Sequence, residues 1–211
     1  MTRLRLFDYS RSSASYRVRI ALALKGIAYD RIEVNLLEGA QRNEDYRALN
    51  PQGLVPMLDT GERRLTQSLA IVEWLESAHP DPALLPADPG DRAHVRALAL
   101  AIACDIHPLN NLRVLKYLGG ALEAAEDARA AWYRHWVAEG FAALEAMAAP
   151  HAGRFLFGDS PTLADVCLVP QMFNARRFDV PLDDYPLLVG IDAAAAALPA
   201  FAEAHPDRFA P

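Results

Sequence analysis

Cysteine is scarce in this chain of 211 residues, which contains only Cys104 and Cys167. Two cysteines so far apart in sequence offer no disulfide framework and no four-ligand zinc site. Cys104 and His107 have the i,i+3 spacing of a helical metal pair, but without further clustered ligands we expect no metal there and a small, buried Cys104. If thiol chemistry occurs, the thiol is expected to come from outside the chain.

Long apolar runs and excess positive charge are also missing. The apolar stretch 97–104 falls well short of the roughly 20 residues that cross a bilayer. The first residues lead straight into a strand-like segment, without the apolar core and cleavage site of a secretory signal, so we expect a cytoplasmic protein. The formal net charge of −6 disfavours a surface that recruits nucleic acid or anionic membranes, although a local basic pocket stays compatible with it.

The first 80 residues lack the Gly-x-Gly-x-x-Gly turn of a dinucleotide-binding fold but show alternating strand and helix patterns. Strands are predicted at 4–7, 28–34, 54–58 and 63–66, and helices at 16–25, 41–49 and 67–78. The resulting order, βαβαββα, is too short for a full dinucleotide-binding fold. It suits a compact four-stranded thioredoxin-like sheet.

Four prolines between residues 80 and 89 suit a stiff linker. Beyond it the strand pattern disappears, and long alanine- and leucine-rich helices are predicted at 91–118, 127–148, 162–177 and 187–204. The predicted fold class is therefore α/β followed by all-α. Its parts are a thioredoxin-like domain at 1–80, a proline-rich linker at 81–90 and an all-helical domain at 91–211.

Three serines lie where the first predicted strand gives way to the first helix: Ser12, Ser13 and Ser15. Helix N-termini favour anions and lower the pKa of a thiol, so this segment suits a thiolate site. Serine is also a leading N-cap residue, so the alternative is that one of the three simply caps the helix.

Two further features also have both a ligand-binding and a structural explanation. A cis peptide before Pro56 would leave the backbone of Val55 facing outward for an extended peptide, whereas a trans proline at a strand start is the ordinary case. Gln67 and Ser68 open a helix with uncharged donors that could hold a carboxylate, or they cap that helix.

In this order and spacing, the three features resemble the glutathione transferase superfamily, over both domains. The segments RSSASYRVRIAL (11–22), NPQGLVP (50–56) and QSLAI (67–71) are similar to those of the zeta class. So is CDIHPLNNLRVL (104–115), which is the more specific signature. That class contains the maleylacetoacetate isomerases and the closely similar bacterial maleylpyruvate isomerases.

The resemblance implies a site for glutathione and a carboxylated substrate. Ser12 would hydrogen-bond the glutathione sulfur, with Ser13 and Ser15 as support, and Val55 would pair with the cysteinyl unit beside a cis Pro56. Gln67 and Ser68 would hold the γ-glutamyl carboxylate, and Gln41 would lie toward the glycyl end. From the helical domain His107, Asn111 and Arg113 would approach the cofactor or substrate, while Arg11 and Arg177 would bind substrate carboxylates.

One position departs from the family pattern: Ala14 stands where a cysteine often follows the paired serines. A protein thiol at this position is therefore not essential, and the reacting thiol is glutathione's own. Its reversible addition makes a maleyl double bond a rotatable single bond, through an enolate that guanidinium groups stabilise. The implied enzyme is a cytoplasmic, homodimeric, glutathione-dependent cis–trans isomerase of maleylacetoacetate, which takes part in aromatic amino acid degradation.

Other readings of the chain stay open. The substrate could be maleylpyruvate, the enzyme could be a general glutathione transferase or dehalogenase, or the protein could bind glutathione as a regulator. Arg176 and Arg177 could be a solvated pair. Two further patterns are expected to be structural: a capping box from Thr162 to Asp165 and the packing of Trp132 on Trp136.

Overall fold

The computed structural model describes residues 3–209. The chain divides into two compact units. One unit comprises the chain through Ala83 together with the segment from Leu198 onward, and the other is Leu84–Ala197. The sequence predicts domains at 1–80 and 91–211. The structure differs in grouping the segment from Leu198 onward with the first unit.

The first unit contains a four-stranded mixed sheet. Its strands are β1 (Leu4–Asp8), β2 (Tyr29–Glu33), β3 (Met57–Asp59) and β4 (Arg64–Thr66), in the spatial order β2-β1-β3-β4. β1 runs parallel to β2 and antiparallel to β3, and β4 is antiparallel to β3. The first crossover and the final hairpin are therefore those that the βαβαββα pattern predicts, and the thioredoxin-like fold class is confirmed.

The helices of the first unit are α1 (Ser13–Leu24), α2 (Glu44–Leu49), α3 (Ser68–Ala78) and α9 (Pro199–Ala204), with a 3₁₀ turn at Ala40–Arg42 before α2 and another at Pro206–Arg208. Helix α1 packs against both α3 and α9. Its side chains from Ser15 to Leu22 are all buried, including two arginines. A helix buried all round is a core helix, and its charged members need partners inside the unit.

The second unit is helical. Its helices are α4 (Pro89–Leu100), α5 (Leu112–Gly120), α6 (Glu126–Ala148), α7 (Leu163–Arg177) and α8 (Pro186–Ala196), and a π-helical segment, Ala101–Ile106, follows α4. Asp88 begins α4 by accepting the backbone N–H groups of Gly90 and Asp91 at 2.8 and 2.9 Å. The all-helical class of this unit is thus also confirmed.

Two predicted helices are interrupted in the structure. The one predicted at 91–118 passes through the π-helical segment and then a turn, where Pro108 has no backbone N–H to continue the helical hydrogen bonds. The one predicted at 187–204 is broken before Pro199, and the chain crosses there into the first unit as α9. Within residues 3–209, no helix is both long enough and apolar enough to cross a membrane.

Candidate active site

The register of the sheet brings three of the predicted site segments to one edge. Phe7 pairs with Met57, and Met57 pairs with Thr66. Because β1 and β4 run antiparallel to β3, the ends of β1 and β4 lie beside the start of β3. The segments that meet at this edge are the turn 9–12 after β1, Val55 with Pro56 before β3, and Gln67 with Ser68 after β4. The N-termini of α1 and α3 therefore open at the same edge.

The turn after β1 ends in the predicted serines. Ser12 is the N-cap of α1, and its Oγ accepts the Ser15 N–H at 3.2 Å. Ser12 is half-buried, whereas Ser13 is 5% and Ser15 0% exposed. Capping and ligand contact are compatible at Ser12, because its hydroxyl hydrogen remains available for donation after the oxygen has accepted. Ser15 has no exposed surface, so any support that it gives to a ligand is indirect.

The Leu54 carbonyl anchors the segment Val55–Pro56 that leads into β3. The Leu54 C=O accepts the Tyr46 hydroxyl at 2.6 Å and the Asn50 amide at 2.8 Å. Burial raises the pKa of Tyr46 to about 12, so this phenol stays a donor throughout the ordinary pH range. The Val55–Pro56 peptide is cis, as the resemblance implied. Val55 lies before the sheet ladder, which begins at Met57.

Gln67 has strained backbone at the start of α3. Its φ of 69° is in the left-handed region, which side chains other than glycine rarely adopt, and its side chain makes no cap hydrogen bond. The Gln67 amide instead donates to Gln52 Oε1 at 3.0 Å. Backbone strain of this kind clusters at functional sites, so it favours ligand binding over simple helix capping here.

Ser68 is buried, and it accepts a hydrogen bond from Arg17 Nη1 at 3.3 Å. Sequence reasoning missed Arg17 and its neighbour Arg19, which both lie in the buried stretch of α1. The available signal was two charged residues flanking Val18 in a run of otherwise apolar residues, since buried arginines need partners of their own.

Gln41 lies in the 3₁₀ turn at Ala40–Arg42, close to the loop that leads to Val55. A Cβ built on Gly53 would lie 2.9 Å from the Gln41 backbone oxygen, and Gly53 has a φ of +61°. Both facts require glycine at this position. Gln41 Oε1 is buried and has no hydrogen-bond partner among residues 3–209.

In the second unit, His107, Asn111 and Arg113 lie close together where the π-helical segment gives way to α5. Asn111 is the N-cap of α5, and its Oδ1 accepts the Arg113 N–H at 3.1 Å. With Oδ1 facing the Arg113 N–H, the Asn111 side-chain nitrogen Nδ2 faces His107 and lies 3.3 Å from its Nε2. The nitrogen can only donate, so Nε2 is the unprotonated ring atom in this arrangement. Trp132 Nε1 donates to the Leu109 C=O at 2.7 Å and ties the segment to α6.

Arg177 lies at the C-terminal end of α7 with its side chain exposed. Its Nη1 donates to Asn174 Oδ1 at 3.1 Å, and its guanidinium lies over the rings of Phe173 and Phe178, 5.8 and 5.5 Å from their centroids. Within residues 3–209 it forms no ion pair with a carboxylate. It is therefore a preoriented cation with capacity for an anionic ligand.

The neighbouring Arg176 has a different role. Its Nη1 forms a 2.6 Å ion pair with Asp192 on α8. Arg176 is therefore paired although its side chain is about half exposed, and Arg177 is the neighbouring cation that α7 offers to a ligand.

Two further sequence expectations have clear outcomes. Cys104 was expected to be buried and is exposed, because it lies on the outer side of the π-helical segment. The capping box is confirmed: Asp165 accepts the Thr162 N–H at 2.7 Å and its hydroxyl at 2.8 Å.

The predicted site residues therefore form two groups, one in each unit. The first unit contributes Arg11, the serines, Gln41, Val55, Pro56, Gln67 and Ser68. The second contributes His107, Asn111, Arg113 and Arg177. The first group offers two helix N-termini and, at Val55, backbone outside the sheet ladder, which suit a peptide with a thiolate and a carboxylate. The second offers guanidinium groups and an imidazole, which suit a carboxylated substrate and proton handling.

Comparison with known proteins agrees with this chemistry. The model of the glutathione S-transferase N-terminal domain matches residues 11–78, and the model of the glutathione S-transferase C-terminal domain matches residues 124–203. The chain belongs to the glutathione S-transferase family.

Individual relatives narrow the class. A maleylacetoacetate isomerase of Rhizobium meliloti is 53% identical over 98% of this chain and 97% of its own length. The holo structure of a maleylpyruvate isomerase, described as a bacterial glutathione S-transferase of the zeta class, is 51% identical with a TM-score of 0.94 and covers 96% of each chain.

A third relative was solved with ligands. The maleylacetoacetate isomerase of Anaeromyxobacter dehalogenans, with bound glutathione in its active site, is 48% identical with a TM-score of 0.88, and the match covers 98% of this chain and 96% of that one. The same protein was also solved with dicarboxyethyl glutathione and citrate.

Proposed function

We propose that this chain is a glutathione-dependent cis–trans isomerase that converts maleylacetoacetate to fumarylacetoacetate. The observation that carries the proposal is the sheet register, which brings Ser12, Val55 and Gln67 to one edge between two helix N-termini. An enzyme of this type needs a thiolate and a cation for the substrate. The edge would bind the thiolate of glutathione, and Arg177 would be the cation for the substrate.

The residues at the edge fit glutathione by their donor chemistry. The Ser12 hydroxyl and the N-terminus of α1 would hold the sulfur, and the backbone of Val55 would pair with the cysteinyl unit. Gln67, Ser68 and the N-terminus of α3 would hold the γ-glutamyl carboxylate. Gln41, with its unpartnered Oε1, lies in the loop expected at the glycyl end.

When bound, glutathione supplies a thiolate whose reversible addition lets the maleyl carbon–carbon bond rotate. Ser12 does not act as a nucleophile: its oxygen accepts the Ser15 N–H, so its O–H can be donated to sulfur. A donor and a helix N-terminus both favour the thiolate over the thiol.

The second unit would handle the substrate. Arg177, with Arg113 and Arg11 as further cations, would bind its carboxylates and stabilise negative charge that develops on its carbonyl oxygen. His107 would take part in proton transfer, with Asn111 fixing its ring orientation through Nε2. The first unit would thus bind glutathione and the helical unit the substrate.

The proposed assembly is a homodimer in the cytoplasm, as the family resemblance implies. Light scattering during size-exclusion chromatography measures the molar mass of the assembly directly. A mass near twice 23.2 kDa is expected, and a mass of one chain at micromolar concentration would contradict the dimer.

A second candidate is the isomerisation of maleylpyruvate. It is favoured by the solved maleylpyruvate isomerase, which is 51% identical and superimposes with a TM-score of 0.94. Both substrates carry a maleyl group and a carboxylate, so the same arginines would serve either one.

The deciding experiment follows the loss of the maleyl chromophore of both substrates with purified protein, with and without glutathione. We expect turnover of maleylacetoacetate that depends on glutathione, and a higher kcat/KM for it than for maleylpyruvate. Activity without glutathione would contradict the mechanism. Inactivity on both substrates, with glutathione still bound, would favour a general transferase or a regulatory protein instead.

A further inference from the structure

Arg19 lies on α1 with a side chain that is fully buried. Its guanidinium makes hydrogen bonds in three directions. Nη1 forms a 2.7 Å ion pair with Asp8, Nη2 donates to the Ser10 C=O at 2.9 Å, and Nε donates to the Ala204 C=O at 3.0 Å. Five donors in a rigid planar fork allow such simultaneous contacts, which a lysine ammonium on a flexible stem does not reproduce.

The Ser10 contact acts on the turn that carries the thiolate site. Nη1 of Arg19 also lies 3.5 Å from the Tyr9 C=O, which accepts the Ser12 N–H at 3.0 Å and so closes the turn. In a trans peptide the C=O and the following N–H point in opposite directions. With the Ser10 C=O drawn inward to Arg19, the Arg11 N–H points away from the core, toward the exposed side of the turn.

The C-terminal segment completes the surroundings of Arg19. The ring of Phe209 lies 4.8 Å from the Arg19 guanidinium and 5.3 Å from that of Arg31. Arg31 forms a second 2.7 Å ion pair with Asp8. Burial lowers the pKa of Arg19, and the attraction of Asp8 opposes that shift. Other charged or titratable groups around this cluster are Tyr16, whose ring centroid lies 5.2 Å from the Arg19 guanidinium, Tyr29 and, beside Arg31, Glu33.

We propose that Arg19 is a positioning residue for the thiolate site, and that the C-terminal segment from Leu198 onward, through Ala204 and Phe209, holds Arg19 in place. Arg19 orients the turn 9–12 so that Ser12 faces the sulfur and the Arg11 N–H faces outward. The proposal rests on the proposed function only through the role of Ser12.

Two variants test it. Arg19→Lys keeps a cation beside Asp8 but loses the fork, and Phe209→Ala loosens the guanidinium without touching its hydrogen bonds. Phe157→Ala is the matched control, because Phe157 is also a half-buried aromatic residue but packs on His94 and His151 in the second unit.

The first measurement is amide hydrogen exchange of the turn 9–12 in the protein without glutathione. The second is the pKa of the thiol of bound glutathione, from its thiolate absorbance. For Arg19→Lys we expect exchange about tenfold faster and a thiol pKa about one unit higher, since both the donor and the helix terminus move off the sulfur. Phe209→Ala should shift both in the same direction by less, and Phe157→Ala should change neither.

A purely structural role predicts lower stability with unchanged exchange of the turn and unchanged thiol pKa in the folded protein, and this result would overturn the proposal. If Arg19→Lys does not fold, Phe209→Ala decides by the same two measurements. If the protein binds no glutathione, the proposed function fails, while the exchange of the turn still tests the positioning role by itself.

Discussion

Arg176 and Arg177 are adjacent in sequence, yet among residues 3–209 only Arg176 forms an ion pair with a carboxylate. We expect Arg177→Ala to raise the KM for the substrate about tenfold or more, because a charge-assisted contact to a carboxylate is worth roughly 1.5–3 kcal/mol. The Kd for glutathione should stay nearly unchanged. Steady-state kinetics and calorimetric titration separate the two effects.

Arg176→Ala is the matched control for that variant. It removes the ion pair with Asp192. Because the Arg176 side chain is about half exposed, we expect a loss of at most about 1 kcal/mol in the free energy of unfolding and an unchanged KM. Equal losses of substrate and glutathione affinity in Arg177→Ala would show that Arg177 was assigned to the wrong ligand.

Gln67 has a backbone conformation that its side chain opposes. In most helix positions alanine is more stabilising than glycine, but at a φ of 69° we expect the reverse. Gln67→Gly should be more stable than Gln67→Ala by about 1 kcal/mol, because glycine relieves the strain that a Cβ creates. Both variants should weaken glutathione binding equally, since both lose the amide. Denaturant unfolding and titration measure the two quantities, and a more stable alanine variant would argue against backbone strain.

At the residue scale, sequence indicated most residues of the proposed site but not the residues that support them. Ser12, Val55, Gln67 and Ser68 could be recognised because each belongs to a short local motif. The contacts of Arg17 and Arg19 could not, because their partners lie as far away as Ser68 and Ala204. The expectation of a buried Cys104 was wrong because helical spacing alone does not show which face packs inward.

At the scale of elements, α7 begins with a buried carboxylate. Asp165 accepts the Leu156 N–H at 2.8 Å as well as the two donors of Thr162, yet burial dominates and raises the pKa of Asp165 to about 6. In unfolded chain the pKa of Asp is about 3.9. Between these two values the folded protein binds more protons than the unfolded one, so the stability from this group is complete below pH 4 and is lost as the pH rises through 6.

Asp165→Asn tests this dependence, because asparagine resembles the protonated acid and does not titrate. The free energy of unfolding of the native protein minus that of the variant should fall by about 3 kcal/mol between pH 4 and pH 7 and be level above that. Denaturant unfolding at a series of pH values supplies the difference. A difference that grows with pH would mean that the three hydrogen bonds outweigh burial and that the pKa is lowered.

Element type was well predicted and element continuity was not. The order βαβαββα and the helical second half follow from local periodicity. The break of 91–118 and the break before Pro199 each contain a proline that could have been weighed more heavily. The π-helical hydrogen bond from the His107 N–H to the Ile102 C=O, at 2.9 Å, has no comparable local signal.

At the scale of the whole molecule, the last segment belongs to the unit formed by the start of the chain. Ending the chain at Ala197 removes α9, the Ala204 carbonyl that Arg19 contacts, and Phe209. Arg19 keeps Asp8 and Ser10 but loses the acceptor of its Nε and the ring that covers it. A hydrogen bond to a charged group is worth roughly 1.5–3 kcal/mol, so we expect the first unit to lose at least about 2 kcal/mol. A chain that ends at Phe209 is the control.

Hydrogen exchange resolved by segment measures this effect. Exchange in β1 and α1 should accelerate in the shortened chain, and exchange in α6 of the second unit should change less. Equal acceleration in both units, or none in α1, would contradict the assignment of the C-terminal segment to the first unit.

The sequence by itself determined the family, the order of the elements and the motifs proposed to bind glutathione, because periodicity, caps and short motifs are local features of the chain. Only the tertiary structure decided which residues support the site. The register of β1, β3 and β4 brought distant segments to one edge, and the burial of Arg19 joined the turn at Ser10 to Ala204. Such contacts depend on which surfaces pack together when the chain folds, and local residue spacing does not indicate which distant segments those are.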